Sequence, residues 1–287
     1  MSFKLTADCM RYAPWSNSKA KMALNCPWQF RKKYVERVKG VEPPATSRRK
    51  VGLAAHETVE AMLKRPDVPI DNILRIQEGK HDLTSAETDE LRLYKSQILE
   101  FGERIRKFVA AKGAETKSPL LVELRMAITP DFEPCEFFNN DGLFRGVIDL
   151  GIPTHGGNLV VIDHKARAKG RMEWYLEQLR GYQILGVYGL KVPDFNILAV
   201  QPAVHYILDG TIDWIPVMMR REISIRMRNW LIEFLNKAGA FGNKNDQWTG
   251  KHCDWCGYTE ACEAFTAMQT SSGGSDGKAA ATTEVNI

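Results

Sequence analysis

The order of patterned segments predicts an α/β sandwich around a central mixed β-sheet flanked by helices, rather than a doubly wound parallel sheet. Two observations carry that expectation. A first third of helical periodicity gives way to three consecutive strand-like runs, and one helical stretch then separates these from further strands. At the start, residues 16–38 place Met22, Leu24, Trp28, Phe30, Tyr34 and Val38 at helical spacing among basic residues, and 51–63 and 85–112 follow the same period. Residues 119–128, 143–152 and 158–166 read as strands; Thr154-His155-Gly156-Gly157 is a turn signal between the last two, which makes the three an antiparallel meander. Helical spacing returns over 173–190 through Leu176, Leu179, Tyr182, Gln183 and Gly186. Strand character resumes over 195–206 and 211–217, and a last helix covers 222–240. From Thr270 onward the chain offers almost nothing to bury, which predicts a disordered tail. The expected organisation is a helical N-terminal part (1–115), a central core (116–220), a C-terminal helix with clustered cysteines (221–268) and the tail (269–287).

Composition is that of a globular chain: of 287 residues, 44% are hydrophobic, 9% aromatic and 26% charged, enough to build a full-sized core. No run approaches the ~20 apolar residues of a membrane span, and the first residues lack the apolar centre of a signal peptide. A membrane role is not expected. An intracellular, reducing compartment is, or the host cytoplasm if the source is viral. The formal charge of +4 is too mild to establish a nucleic-acid partner. Local clusters say more: Lys19, Lys21, Arg31, Lys32, Lys33, Arg37, Lys39, Arg48, Arg49 and Lys50 form one, Lys165, Arg167, Lys169 and Arg171 a second, and Arg220, Arg221, Arg226 and Arg228 a third. Such clusters suit a phosphate backbone, although charge runs are usually solvated helix faces.

The most informative stretch is GVIDLGIPTHGGNLVVIDHKA. It carries Asp149 and Asp163 into two apolar strands, where a lone carboxylate costs several kcal/mol or loses its charge, so the pair asks for a shared cation. Strand alternation puts Asp163 and Lys165 on one side and His164 on the other, and a hairpin through 154–157 sets Asp149 beside them. Carboxylates, a backbone carbonyl and water make a hard-oxygen site for Mg²⁺ or Mn²⁺, with His164 counted among the metal-site residues. Such an ion polarises a scissile phosphate and acidifies a water; Lys165 can orient that water and meet charge growing on the phosphate. A bare D-x-K is common. Downstream, Gln178 and Tyr182 lie four apart on one helix face, where an amide and a phenol can reach the same site or a nucleotide.

In combination, G-V-I-D, I-D-H-K and Q-L-R-G-Y resemble the RecB-like branch of the PD-(D/E)xK nucleases, which includes the CRISPR-associated exonucleases and the AddB nuclease domain. The resemblance covers roughly residues 20–265. It implies a restriction-endonuclease-like sandwich and a metal-dependent DNA exonuclease acting on single-stranded DNA or DNA ends, in recombination, repair or CRISPR-related processing. It also implies that His56, in Gly52-Leu53-Ala54-Ala55-His56-Glu57, completes the metal shell, and that Glu123 matches the first acidic position. Asp163 stands where many relatives carry Glu. A homo-oligomer, or a partner in a recombination or CRISPR complex, would fit such relatives. The alternative is a non-catalytic nucleic-acid-binding or assembly module of the same fold with a structural zinc or iron-sulfur site.

Of six cysteines, three form a C-x2-C-x5-C: Cys253, Cys256 and Cys262. Tight spacing in a reducing compartment favours metal ligation over disulfides. The resemblance supplies the fourth ligand, Cys26 in Cys26-Pro27-Trp28, as in the iron-sulfur subgroup, and implies a [4Fe-4S] cluster. Zinc remains open, with His252 able to replace Cys26. Cys9 and Cys135 lack such context. Either metal would clasp the chain ends, setting the 19–50 segment against the sheet with Trp28, Phe30 and Tyr34 either stacking bases or lying in the core.

Overall fold

The computed structural model describes residues 4–41, 46–112, 120–190 and 195–272, so all but the first few residues of the expected tail lie outside the described ones. The chain begins with three short helices, α1 (Ala7–Arg11), α2 (Asn17–Asn25) and α3 (Pro27–Phe30), the last running into a π-turn over Arg31–Val35. One helix was expected over 16–38; Cys26 adopts an extended conformation and Pro27 starts the next helix, because the residue before proline is pushed out of the helical region. Four helices follow: α4 (Ser47–Lys64), α5 (Ile70–Lys80), α6 (Ser85–Leu93) and α7 (Lys95–Lys112). The Thr84–Glu87 capping box starts α6.

The strands are β1 (Leu121–Ile128), β2 (Pro134–Cys135), β3 (Phe144–Thr154) and β4 (Asn158–Lys165). Helix α8 (Leu176–Ile184) then crosses to β5 (Ala199–Tyr206), followed by β6 (Thr211–Trp214) and β7 (Met218–Met219). A short α9 (Arg220–Glu222) leads through a π-turn into α10 (Arg228–Gly242), and α11 (Glu263–Ser272) is the last element described. The sheet order is β2-β1-β3-β4-β5-β6, with β7 beside β5. β3 pairs antiparallel with β1 on one side and β4 on the other, whereas β4 and β5 run parallel across the α8 crossover. The sheet is therefore mixed, and helices cover both faces.

Alternation along β4 sorts the core. Leu159 and Val161 pack with α2, α8 and α10, and Val160 and Ile162 pack with α4 to α7. In β1 and β3 that alternation breaks once, and at matching positions. Val122 and its partner Leu150 face the α4 layer, while Leu124 and its partner Ile148 face the α8 layer. Residues two apart should share a face; the residues between, Glu123 and Asp149, are where both strands turn over. Glu123 has φ of 54°, a left-handed backbone that costs a side chain with a Cβ about 1–2 kcal/mol. Close helix packing on the other side depends on Gly146 of β3, where a Cβ would come within 2.8 Å of Leu185.

Candidate metal centre

Asp149 and Asp163 occupy facing positions where β3 and β4 part. The antiparallel ladder runs from Thr154↔Asn158 to Leu150↔Ile162 and ends there, and beyond it the main-chain N–H of His164 donates to Asp149 Oδ2 at 2.7 Å. His56 reaches the same oxygen from α4, with Nε2 at 3.1 Å. Small residues bring that helix close: Ala54 and Ala55 are fully buried, and a Cβ on Gly52 would touch Ala166 just beyond β4. Glu123 approaches from β1. One ligand atom from each of His56, Glu123 and Asp149 lies within 4.8 Å of the others.

Asp163 is 1% exposed and forms the second half of the site. Its Oδ1 accepts from Gln178 Nε2 at 2.8 Å and from the Tyr182 hydroxyl at 3.3 Å. Its Oδ2 lies 2.6 Å from Lys165 Nζ. That oxygen is buried and has no well-aligned hydrogen bond, so it retains a lone pair for a cation. Gln178 ties the parts together: Nε2 also donates to the Tyr182 oxygen at 2.6 Å, and Oε1 accepts from Lys165 Nζ at 3.2 Å. The Lys165 ammonium stands over the Tyr175 ring, 5.1 Å from its centre.

Burial and the mutual repulsion of the carboxylates compete here with the charges of Lys165 and His56. Burial, with the charge of Asp149, pushes the Asp163 carboxyl up to about 6 against the pull of Lys165. Burial and Asp149 likewise raise Glu123. For Asp149 burial opposes ionisation, but the bond and charge of His56 with the His164 N–H outweigh it and hold the carboxyl below its ordinary value. Burial disfavours charging His56, yet its bond to Asp149 and the charges of Asp149, Glu123 and Asp163 raise it above the usual histidine value. A proton on His56 thus serves these acids. One imidazole nitrogen with several carboxylate oxygens fits Mg²⁺ or Mn²⁺.

His164 stands differently from the others. Its Nδ1 lies 3.0 Å from His205 Nδ1, its parallel-strand neighbour, and both rings pack on Phe101. Burial lowers His164 to about 4 and His205 to about 2, so both are neutral and one donates to the other. At the Asp149 carboxylate His164 therefore acts through its main-chain N–H; its ring belongs to the α7 side. The sequence reading did not single out His205, whose signal was a histidine in an apolar strand between Val204 and Tyr206.

The basic N-terminal segment divides. Trp28 and Phe30 are 5% and 0% exposed, so neither is open to a base. Lys19 turns inward to the carbonyls of Tyr12 and Pro14, whereas Lys21 pairs with Glu177 at the start of α8 at 2.9 Å. Cys26, Cys253, Cys256 and Cys262 are all buried free thiols. Burial raises Cys253 and Cys256, and the charges of the neighbouring cysteines, Cys26 and Cys262 included, add to it, so the four form one group. Cys9 lies in the main core and Cys135 is partly exposed. Among the described residues no helix is long and apolar enough to cross a membrane.

No curated protein matches this chain. Among solved structures, the crystal structure of SSO0001 aligns over 86% of this chain and 95% of its own, with 12% identity and a TM-score of 0.33. A family model matches residues 14–263, a span that holds His56, Glu123, Asp149, Asp163, Lys165, Gln178 and the four grouped cysteines. That family is the PD-(D/E)XK nuclease superfamily, and the chain belongs to it.

Proposed function

We propose that this protein is a divalent-metal-dependent DNA exonuclease that hydrolyses single-stranded DNA or DNA ends, serving recombination, repair or CRISPR-related DNA processing. Membership of a superfamily whose members are usually metal-dependent nucleases supports the reaction class. The observation that carries it is the meeting of His56, Glu123 and Asp149 at the point where β3 and β4 separate, with the Asp163–Lys165 pair on the facing strand.

His56, Glu123, Asp149 and Asp163 would hold Mg²⁺ or Mn²⁺. When bound, the ion supplies Lewis-acid polarisation of the phosphate and a more acidic water. Lys165, positioned by Asp163 and Gln178, orients that water and offsets negative charge that grows on the phosphoryl oxygens. Gln178 and Tyr182 fix the Asp163 carboxylate, so little reorganisation remains for the reacting state. Purified protein with Mn²⁺ should degrade labelled single-stranded DNA from its ends, EDTA should stop it, and Asp163→Ala and Lys165→Ala should each lose the activity. Undiminished cleavage by both variants would refute this site.

At the chain ends, Cys26, Cys253, Cys256 and Cys262 would hold a [4Fe-4S] cluster. Among the described residues no three of their sulfurs lie within 4.8 Å of one another. Tetrahedral zinc, with Zn–S near 2.3 Å, requires sulfurs about 3.8 Å apart. Anaerobically purified protein should be brown and absorb near about 400 nm; a colourless, zinc-loaded sample would favour the other metal.

A further inference from the structure

Between β2 and β3 the chain leaves two adjacent phenylalanines at the surface, beside arginines. Phe138 is 71% exposed, and the Phe137 and Phe138 rings meet edge-on at 5.1 Å. The Arg125 guanidinium lies 5.8 and 5.9 Å from the two ring centres, and that of Arg145 lies 5.3 and 6.0 Å from them. The loop is held in place: Arg145 Nη1 donates to the Phe137 carbonyl at 3.3 Å, Asn139 N–H to Glu136 O at 3.0 Å, and Asp141 N–H to the Asn139 side chain at 2.9 Å. Among the described residues neither arginine is in an ion pair with a carboxylate.

Two grooves link this cluster to Gln178 and Tyr182, the side chains that hold Asp163. A groove of about 390 Å³ is lined by Gln178, Tyr182, Gly146, Arg145 and Phe137. A second, of about 730 Å³, continues from the same Phe137 past Phe138 to Arg125. One end of the path is therefore the amide and phenol that hold Asp163, and the other is a pair of apolar rings flanked by two positive charges. A ligand filling it must present negative charge at intervals and flat apolar faces between. A single nucleic-acid strand has that chemistry, whereas a duplex keeps its base faces stacked inside.

We propose that Phe137 and Phe138, with Arg125 and Arg145, form a stacking platform that holds a base of single-stranded DNA and guides its strand along the groove to the metal centre. The choice of ligand rests on the nuclease reading above. The platform makes the enzyme prefer unpaired DNA, because only an unpaired base can lie against the rings.

The experiment uses the full chain in EDTA, so that binding is read without cleavage. Fluorescence anisotropy follows a labelled oligothymidylate of about 16 nucleotides and a blunt duplex of similar length. Phe137→Ala/Phe138→Ala is expected to weaken single-strand binding tenfold or more, the loss of about one stacked base, while duplex binding changes little. Phe138→Trp, at a position exposed enough to leave the fold unaffected, should keep wild-type affinity. Arg125→Ala should lower the slope of log K against log salt by about one phosphate contact, and the phenylalanine changes should leave the slope alone. Parallel EDTA-sensitive cleavage of single-stranded DNA by the wild-type chain separates the two claims. Cleavage together with unaltered binding by the double alanine variant overturns the platform and leaves the nuclease reading. Ring-dependent binding by a wild-type chain that never cleaves overturns the nuclease reading and leaves the platform. Equal losses on single strand and duplex, or no single-strand binding at all, overturn the platform.

Discussion

Gln178 touches Asp163, Lys165 and Tyr182, and so one side chain sets the geometry of both the acid and the cation beside it. Removing it should leave the carboxylates present but free to rotate. Gln178→Ala is expected to lower kcat about 10- to 100-fold, the usual cost of losing a group that orients a metal-site residue. The thermal midpoint should fall little in comparison, and a variant that keeps full kcat would show that the network is ornamental. The same cluster predicts a pH dependence. Asp163 rises from 3.8 to about 6 on folding, so its contribution to metal-free stability is present below the lower value and is lost as pH climbs through the higher one. A bound cation reverses this by stabilising the ionised acid, and it displaces the proton that His56 holds above its ordinary pKa. Mn²⁺ should accordingly raise the melting temperature more at about pH 7.5 than at about pH 5, with cleavage failing on the acid side. Equal shifts at both values would place the metal elsewhere.

At the scale of elements, the turn-over of β1 and β3 between their two faces is what brings Glu123 opposite Asp149, and its strain falls on Glu123. Strain kept at such a place points to the site it serves. Glu123→Gly removes the steric penalty of the left-handed backbone and Glu123→Ala retains it, so the glycine variant should be about 1 kcal/mol more stable in urea titration. Both variants should lose metal-dependent stabilisation. Equal stabilities would mean that the strand relaxes to an ordinary conformation. Asp149, Asp163 and Lys165 stand out as candidates in the sequence because charge inside apolar strands is conspicuous, and Gln178 with Tyr182 because their spacing is helical. The strand turn-over was not foretold: φ at Glu123 is imposed by the partner strand, and nothing local demands it. The helix over Ile70–Lys80 went unnoticed as well, since its buried stripe of Ile73, Leu74 and Gln77 is short and contains a polar residue. Trp28 could have stacked on DNA by pattern alone; only tertiary packing shows that it is buried beside Cys26 and Cys262. Phe137 and Phe138 fell between short strands, where adjacent aromatics carry no period to interpret.

For the whole molecule, what matters is how the chain ends are joined. One large core lies on each face of the sheet, and Cys26 and Cys262 with Trp28 form a third, small cluster apart from both. The ends already meet through protein contacts: Trp28 N–H donates to Asp246 O at 3.1 Å, Val41 N–H to Gly257 O at 2.8 Å, and the Tyr258 hydroxyl to Val38 O at 2.9 Å. A cluster linking Cys26 to Cys253 would add loop closure across most of the chain, about 5 kcal/mol on the entropic model. In a chain of this size that corresponds to a melting-temperature loss on the order of 10 °C when Cys26→Ser breaks the link. The loss should be local as well as energetic. Helix α10 packs into the main core through Leu231, Leu235 and Ala238, so the sheet and its helices do not depend on the clasp. Hydrogen exchange on the Cys26→Ser protein should therefore show protection falling furthest in residues 26–41 and 246–262 and least in β3, β4 and β5. Protection lost throughout would instead make the cysteine group a folding nucleus, and the separation of the three clusters would then have no energetic meaning.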